Sequence, residues 1–278
     1  MTSAMQGILV DVARVAAWLF LLTVIFVPLE RLFAERSQPV ARRQFGVDLG
    51  YFLGNGIVTA ALLSGITASL AVMLHRLLPG GLTAWVADLP LWVRLAAILV
   101  ISEFGSYWGH RWSHEVPFLW RFHAIHHSAE QVDWLTNTRA HPVDMIFTRL
   151  CGLFPVYLLG LAQAGTGPQG LAAPLLIMLT TLWGFFIHAN VRWRFGWLEA
   201  WIATPAFHRW HHTNDVHRNH NYASTLPIYD RLFGTLYLPR DTAPPVYGID
   251  APMPAGLVGQ LLSPVRLDID RYRGIGTD

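Results

Sequence analysis

Apolar residues run along this chain in blocks too long for the interior of a water-soluble domain. Stretches of spanning length occur near Leu9–Pro28, Leu49–Leu74 and Leu89–Trp108; about 20 apolar residues in a row cross a bilayer as one helix. A polar, histidine-rich segment follows. Two further apolar stretches, Val143–Gln163 and Leu171–Ile187, are joined by the uncharged turn Ala164–Gly170. Asp144 and Arg149 lie in the first arm of that hairpin, so it is expected to span fully or to be re-entrant; either way the chain returns to the side it left. From Arg192 onward the sequence is more polar and ends in a Pro- and Gly-containing tail. The pattern predicts an all-α integral membrane protein: four to five membrane helices with a cytoplasmic helical cap. No internal repeat or low-complexity segment interrupts it. The divisions expected are N-terminal membrane helices over 1–92, a histidine-box domain over 93–240 and a C-terminal cytoplasmic tail over 241–278.

Composition supports the bilayer. Of 278 residues, 53% are hydrophobic and 14% charged, with a mean hydropathy of +0.35; a soluble domain carries about 25% charge. The net charge of +2 is too mild for a nucleic-acid partner, and no basic run is interleaved with aromatics. The single cysteine, Cys151, excludes an intramolecular disulfide and any cysteine-based zinc or iron–sulfur site; it reads as a small buried hydrophobe. Met1–Asp11 has no basic n-region, so the first apolar run reads as a retained helix rather than a cleaved signal.

Charge sets the expected orientation. The connection after the first helix carries Arg31, Arg36, Arg42 and Arg43, which the positive-inside rule places in the cytoplasm. Counting crossings from there, His110 and His114 emerge on the cytoplasmic side, and the hairpin returns His188 to it.

The chemistry is carried by histidine spacing. His123-Ala-Ile-His126-His127 and His208-Arg-Trp-His211-His212 share one pattern, and the pair His110/His114 precedes the first. With 13 histidines in the chain, chance gives H-x-x-H-H about 0.03 times. On a helix, positions i, i+3 and i+4 share a face, so each triplet is expected to present its imidazoles together. Imidazole ligates iron, zinc and copper. With His188 at the end of an apolar stretch, nine imidazoles are too many for one ion, and two ions sharing them at four or five each is the simple solution. Metal-bound imidazoles donate their second N–H to a carboxylate or carbonyl. Side chains placed to support them are Glu103, two helical turns before His110, with Glu115, His141, Asp133, Asn221 and Asp230; Asp144 is a further nearby acid. His75 reads as an ordinary interfacial residue, and His217 and His220 as surface or entrance residues.

These motifs resemble the membrane-bound fatty acid hydroxylase/sterol desaturase superfamily, in particular its bacterial sterol-desaturase-type members. The resemblance is carried by Tyr107–Pro117, Leu119–Ser128, Arg139–Pro142, His188–Asn190, Asn221-Tyr-Ala and Asp230–Thr235, and covers roughly residues 95–240. Glu103 stands where many members have Asp, and His220 where an acidic or basic residue is usual. The resemblance implies a non-haem di-iron oxygenase that hydroxylates or desaturates a lipid, with O2 and external electrons. On that reading His110, His114, His123, His126, His127, His188, His208, His211 and His212 hold two Fe ions. The electron donor is expected to be a separate protein, a ferredoxin or a cytochrome b5-type protein with its reductase, because the chain has no haem motif. The location expected is the bacterial inner membrane, with the histidine boxes facing the cytoplasm. A lipid substrate entering between spans would pass Trp108, Trp112, Trp120 and Phe186. Sterol, fatty acyl, sphingolipid, ether lipid, carotenoid and hopanoid substrates are all open. Two rivals are weighed. A zinc-dependent membrane hydrolase acting on lipid head groups needs about three ligands and a placed carboxylate base, and no H-E-x-x-H occurs here. A metal transporter or sensor needs ionisable residues along its spans.

Overall fold

The computed structural model describes residues 3–162 and 171–266; the side chain of His75, the turn 164–170 and the tail beyond 266 lie outside them. The chain is mostly helical, and among the described residues the only β pairings are two isolated bridges, Ala34 with Val191 and Thr213 with Tyr247. Helix α1 (Ser3–Leu32) is followed by α2 (Phe45–Gly54), a π-helical turn Asn55–Thr59 and α3 (Ala60–Leu77), which run on as one rod. A short α4 (Gly80–Asp88) leads to α5 (Leu91–Glu115). Met5–Leu32, Phe45–Leu74 and Leu91–Glu115 are long and apolar enough to cross a membrane, matching the three stretches read from the sequence. The hairpin arms, α7 (Pro142–Leu158) and α8 (Ala172–His188), have 17 residues each, about 25 Å of helix against about 30 Å of hydrocarbon.

The π turn has a local cause. Asn55 is buried in the second rod, where its side-chain amide would be costly without partners. Its Nδ2 donates to the carbonyls of Thr138 (3.1 Å) and Ala140 (3.0 Å), and its Oδ1 accepts from Thr59 Oγ1 (2.8 Å). A span is thereby tied to the segment 138–140, just before α7. Helices α5 and α7 approach closely because small residues face each other: a Cβ at Gly105 would collide with the Cys151 carbonyl, and one at Gly109 would lie 2.7 Å from the Cys151 Cβ. Cys151 is partly buried in that contact, as a small packing residue.

Three further helices build the polar layer, each opening on proline, which suits the first helical position. Helix α6 (Pro117–His127) turns sharply off the end of α5 at Val116. Helix α7 is capped by His141 Nδ1, which accepts from Val143 N, and α9 (Pro205–His211) by Thr204, whose Oγ1 accepts from Phe207 N. Short helices α10 (Ile228–Leu232) and α11 (Leu257–Arg266) complete the layer. Residues 241–266 return over it: Ala251 packs with the fully buried Ala124 of α6, and the carbonyl of Leu261 bonds His141 Nε2 at 3.2 Å.

One loop arginine has a different role from the one its position suggested. Arg42 is 4% exposed, and its guanidinium bonds Asp133 twice at 2.6 Å and pairs with Asp48 at 2.6 Å. Arg139 meets the same Asp48 at 2.5 Å. The flanking carboxylates hold the Arg42 proton more tightly than an exposed arginine's, despite burial. Of the four arginines counted for orientation, Arg42 therefore serves as internal structure.

Candidate metal centre

All nine histidines come together. His110 and His114 occupy the last two turns of α5, His123, His126 and His127 the end of α6, His188 the last turn of α8, and His208, His211 and His212 the end of α9. They form two groups, in each of which one nitrogen per ring lies within 4.8 Å of all the others. His110, His114, His123, His127 and His211 make one; His126, His188, His208 and His212 make the second. The expectation that each triplet forms one cluster does not hold: each is divided between the groups. His123 and His127 go to the first and His126 to the second; His208 and His212 go to the second and His211 to the first.

The outer nitrogens fix the inner ones. His110 Nδ1 lies 2.7 Å from the carbonyl of Tyr222, His126 Nδ1 3.0 Å from that of Arg139, His188 Nδ1 2.7 Å from that of Gly184, and His211 Nδ1 2.9 Å from that of His220. A carbonyl only accepts, so each Nδ1 carries the hydrogen. His123 Nδ1 points at Asp144 Oδ2 (3.0 Å), a carboxylate steadied by Ser113 Oγ at 3.2 Å. In a neutral imidazole the opposite nitrogen then holds only a lone pair. Two pairs of those lone pairs face one another, with His110 Nε2 3.2 Å from His123 Nε2 and His126 Nε2 3.2 Å from His188 Nε2, and His211 Nε2 lies 3.1 Å from His127 Nε2. His208 Nε2 approaches His188 at 3.0 Å and His212 at 3.2 Å.

Two acceptors at that distance repel unless a cation lies between them. Metal–nitrogen bonds of about 2.1 Å at right angles put neighbouring nitrogens about 3.0 Å apart, so the spacing suits a shared ion. Protons are a poor substitute: burial first, then neighbouring imidazoles, hold His126, His127, His208 and His212 well below the ordinary histidine pKa, and the same holds for His211, partly offset by its bond to His220. Eight of the nine rings are buried and His110 is partly so. Among the described residues, neither group includes a carboxylate or the cysteine.

The supporting side chains read from sequence are differently placed. Glu103, Asp133, His141, Asn221 and Asp230 direct hydrogen bonds and ion pairs to groups other than the clustered imidazoles. Glu103 receives the amides of Thr225 (2.6 Å) and Leu226 (3.3 Å) and so anchors a loop. Glu115 pairs with Arg111 at 2.7 Å. His141 caps α7. Two of the acids act further out, Asp230 by one bond and Asp133 through a chain of ion pairs. Asp230 receives the amides of Tyr222 (2.7 Å) and Ala223 (2.9 Å) and the hydroxyl of Thr235 (2.7 Å), fixing the carbonyl that His110 bonds; burial lifts its pKa to about 6 against those bonds. Asp133 orients Arg42, which shares Asp48 with Arg139, whose carbonyl His126 bonds. Asn221, left-handed at φ 60°, locks Tyr237 and Phe207 by three bonds. His217 stacks on Tyr237 at 3.9 Å, and His220 offers its carbonyl to His211.

Of the aromatics, Trp120 packs on His114 (5.2 Å) and His127 (5.7 Å), and with them it lines a narrow cleft closed by Asn214 and Asp250. Trp108 and Trp112 lie on α5 beside the site, 5.8 Å apart. Phe186 packs instead with Trp183, Trp193 and Phe195. Sequence reasoning had no means of finding the carbonyls of Tyr222, Arg139, Gly184 and His220, since a backbone group carries no sequence signal. Asp144 was visible, as one acid among several.

Fold and site together define an integral membrane protein with two adjoining all-histidine sites that could hold metal. Residues 95–235 match the fatty acid hydroxylase family model, and the chain belongs to that family. It is 37% identical over 187 residues to an ornithine lipid hydroxylase of Rhizobium tropici, covering 65% of this chain and 53% of that protein. It is 35% identical to the alkylglycerol monooxygenase of Homo sapiens over 58% of this chain and 34% of that one. With a methylsterol monooxygenase of Arabidopsis thaliana it shares 28% identity over 53% and 55%. The chain thus spans about half or less of the length of these relatives. No solved structure matches it.

Proposed function

We propose that this protein is a membrane non-haem di-iron oxygenase that hydroxylates or desaturates a lipid with O2. The observation that carries the reading is the pair of buried all-imidazole groups, five and four strong, at the ends of apolar helices. Bound iron would supply the redox chemistry that reduces O2 and oxidises an unactivated C–H bond. The chain's own residues do the rest. His110, His114, His123, His127 and His211 would hold one ion, and His126, His188, His208 and His212 the other. The four carbonyls and Asp144 keep Nδ1 protonated on His110, His126, His188, His211 and His123 and turn those five rings inward. A neutral ligand set leaves both ions strongly electrophilic. Trp120 packs against His114 and His127 and lines the narrow cleft that reaches them.

The names of the relatives, an ornithine lipid hydroxylase, an alkylglycerol monooxygenase and a methylsterol monooxygenase, support a membrane lipid as substrate. Electrons come from a separate ferredoxin or cytochrome b5-type donor. The histidine layer faces the cytoplasm of a bacterial inner membrane: Arg31, in the last turn of α1, and Arg43, on the loop that follows, are exposed, which supports this orientation by the positive-inside rule. The absence of a carboxylate from both groups, among the described residues, argues against a zinc hydrolase, which needs a general base at the metal.

The test is metal analysis joined to turnover. Purified full-length protein should contain two irons per chain and consume O2 with reductant and a bacterial lipid extract. Mass spectrometry should find a lipid that has gained one oxygen or lost two hydrogens. Iron-loaded protein that leaves O2 and every lipid unchanged refutes the reading.

A further inference from the structure

On the flank of the histidine layer, one cavity of about 230 Å3 is walled by four arginines, Arg192, Arg194, Arg209 and Arg240, with Glu35 and Asp241 as its acids. Its depth follows from the chain. Glu35 comes three residues after α1 and Arg192 four after α8, and the two connections are joined by the bridge between Ala34 and Val191. The cavity therefore opens where two apolar helices end, at the level of lipid headgroups.

Its charge is only partly satisfied. Arg194 is committed to Glu199, which it meets twice at 2.9 Å, and to the carbonyls of Pro239 and Arg240. Arg209 is 5% exposed. It donates Nη1 to the carbonyl of Val191 (2.6 Å), reaches Glu35 only at 3.8 Å, and its buried Nε has no hydrogen-bond partner. A buried guanidinium left with an unbonded donor is costly, and its planar fork matches an oxyanion. Arg192 and Arg240 stand exposed at the rim. Arg209 also lies on α9 between His208 and His211. The cavity thus adjoins the helix that carries three of the clustered imidazoles, and a helix with its side chains is about 10 Å across.

We propose that this cavity holds the oxyanion headgroup, phosphate or carboxylate, of the membrane lipid on which the histidine centre acts; the last clause rests on the oxygenase reading. A concave site of this volume accepts a headgroup, whereas an acidic protein surface would meet only the rim arginines.

Binding is compared by native mass spectrometry of the detergent-purified, metal-loaded full chain. The probes are phosphatidylglycerol, myristate, diacylglycerol and inorganic phosphate. The proteins are the wild type, Arg240→Gln and Arg192→Gln/Arg240→Gln, with metal content as the check on folding. Phosphatidylglycerol or myristate should be retained over diacylglycerol, and each substitution should weaken that retention about tenfold, as loss of one charge-assisted contact does. Inorganic phosphate at millimolar concentration should not displace the lipid; equal competition would overturn the lipid assignment in favour of a free-anion site. Equal retention of charged and neutral lipids, or variants that bind like wild type, would overturn the site. So would unchanged lipid affinity with lost reduction by an acidic donor protein, which would mark a protein dock. The measurement needs no turnover: a lipid that binds here but is never oxidised counts against the oxygenase reading and leaves the headgroup site standing.

Discussion

Asp144 gives the sharpest test of how the two groups are held, because it touches one of them alone. Its Oδ2 accepts from His123 Nδ1 at 3.0 Å, and His123 belongs to the five-histidine group. Both side chains are about 5–6% exposed, so water does not replace a lost contact. Asp144→Ala leaves a buried imidazole N–H without an acceptor, a cost of about 1–3 kcal/mol. It also frees the ring to rotate and removes the charge that makes Nε2 the better donor. Losing such a partner weakens metal affinity about 10–100-fold, or about 1.4–2.7 kcal/mol, and the two routes to the magnitude agree. The four-histidine group is anchored by the carbonyls of Arg139 and Gly184, which the substitution does not touch. Dialysis against a chelator held near the wild-type midpoint, followed by elemental analysis, should strip one metal per chain from Asp144→Ala and spare the second. Asp144→Asn should fall between, since an amide oxygen still accepts from Nδ1 but carries no charge. Parallel loss of both metals, or wild-type retention by Asp144→Ala, refutes the assignment.

Three further outcomes follow from the same contacts. His126→Ala and His127→Ala change neighbouring residues assigned to different groups, so under limiting chelator each should lose one metal, and the double substitution both; identical behaviour of the two singles in a competitive titration with two distinguishable metals would contradict the partition. Asn55→Ala removes the donors to the Thr138 and Ala140 carbonyls and should destabilise by about 2–4 kcal/mol, read as a lowered unfolding midpoint in detergent; an unchanged midpoint would mean the π turn is not held by those bonds. For pH, burial holds His126, His127, His208, His211 and His212 below the ordinary value of 6.5. The unfolded chain therefore takes up protons first, so the stability of metal-free protein is full above about pH 6.5 and falls as pH drops below it; a melting temperature flat between pH 7.5 and 5 would contradict this.

The fold was legible where hydrophobicity alone decides it. The three long rods follow the apolar stretches because a bilayer rewards uninterrupted apolar helix and little else. Interruptions inside that pattern were not legible. Asn55 looks like an isolated polar residue in a span, and only the 138–140 segment, more than 80 residues away, explains both it and the π turn it makes. Arg42 likewise reads as one of four loop cations; its burial depends on Asp48, six residues on, and on Asp133, which folding brings to it from 91 residues away. Long-range polar pairing of this kind has no periodicity to betray it.

The site was legible as a set of nine and misread as to its grouping, and helix geometry supplies the reason. At 3.6 residues per turn, residues i and i+4 point about 40° apart, i and i+3 about 60°, and i+3 and i+4 about 100°. Sharing a face, in the loose sense of the i, i+3, i+4 rule, spans too wide an arc for one ion with bonds of about 2 Å. The closest pair in angle should stay together and the third ring should swing to a neighbour. The pairs His123/His127 and His208/His212 each stay in one group, while His126 and His211 cross to the other. In this chain each H-x-x-H-H motif therefore divides its imidazoles between the two groups instead of giving all three to one. Two such helices facing each other, each lending one imidazole to the other's pair, build adjoining sites from one repeated pattern, and His110, His114 and His188 at the ends of α5 and α8 complete the count.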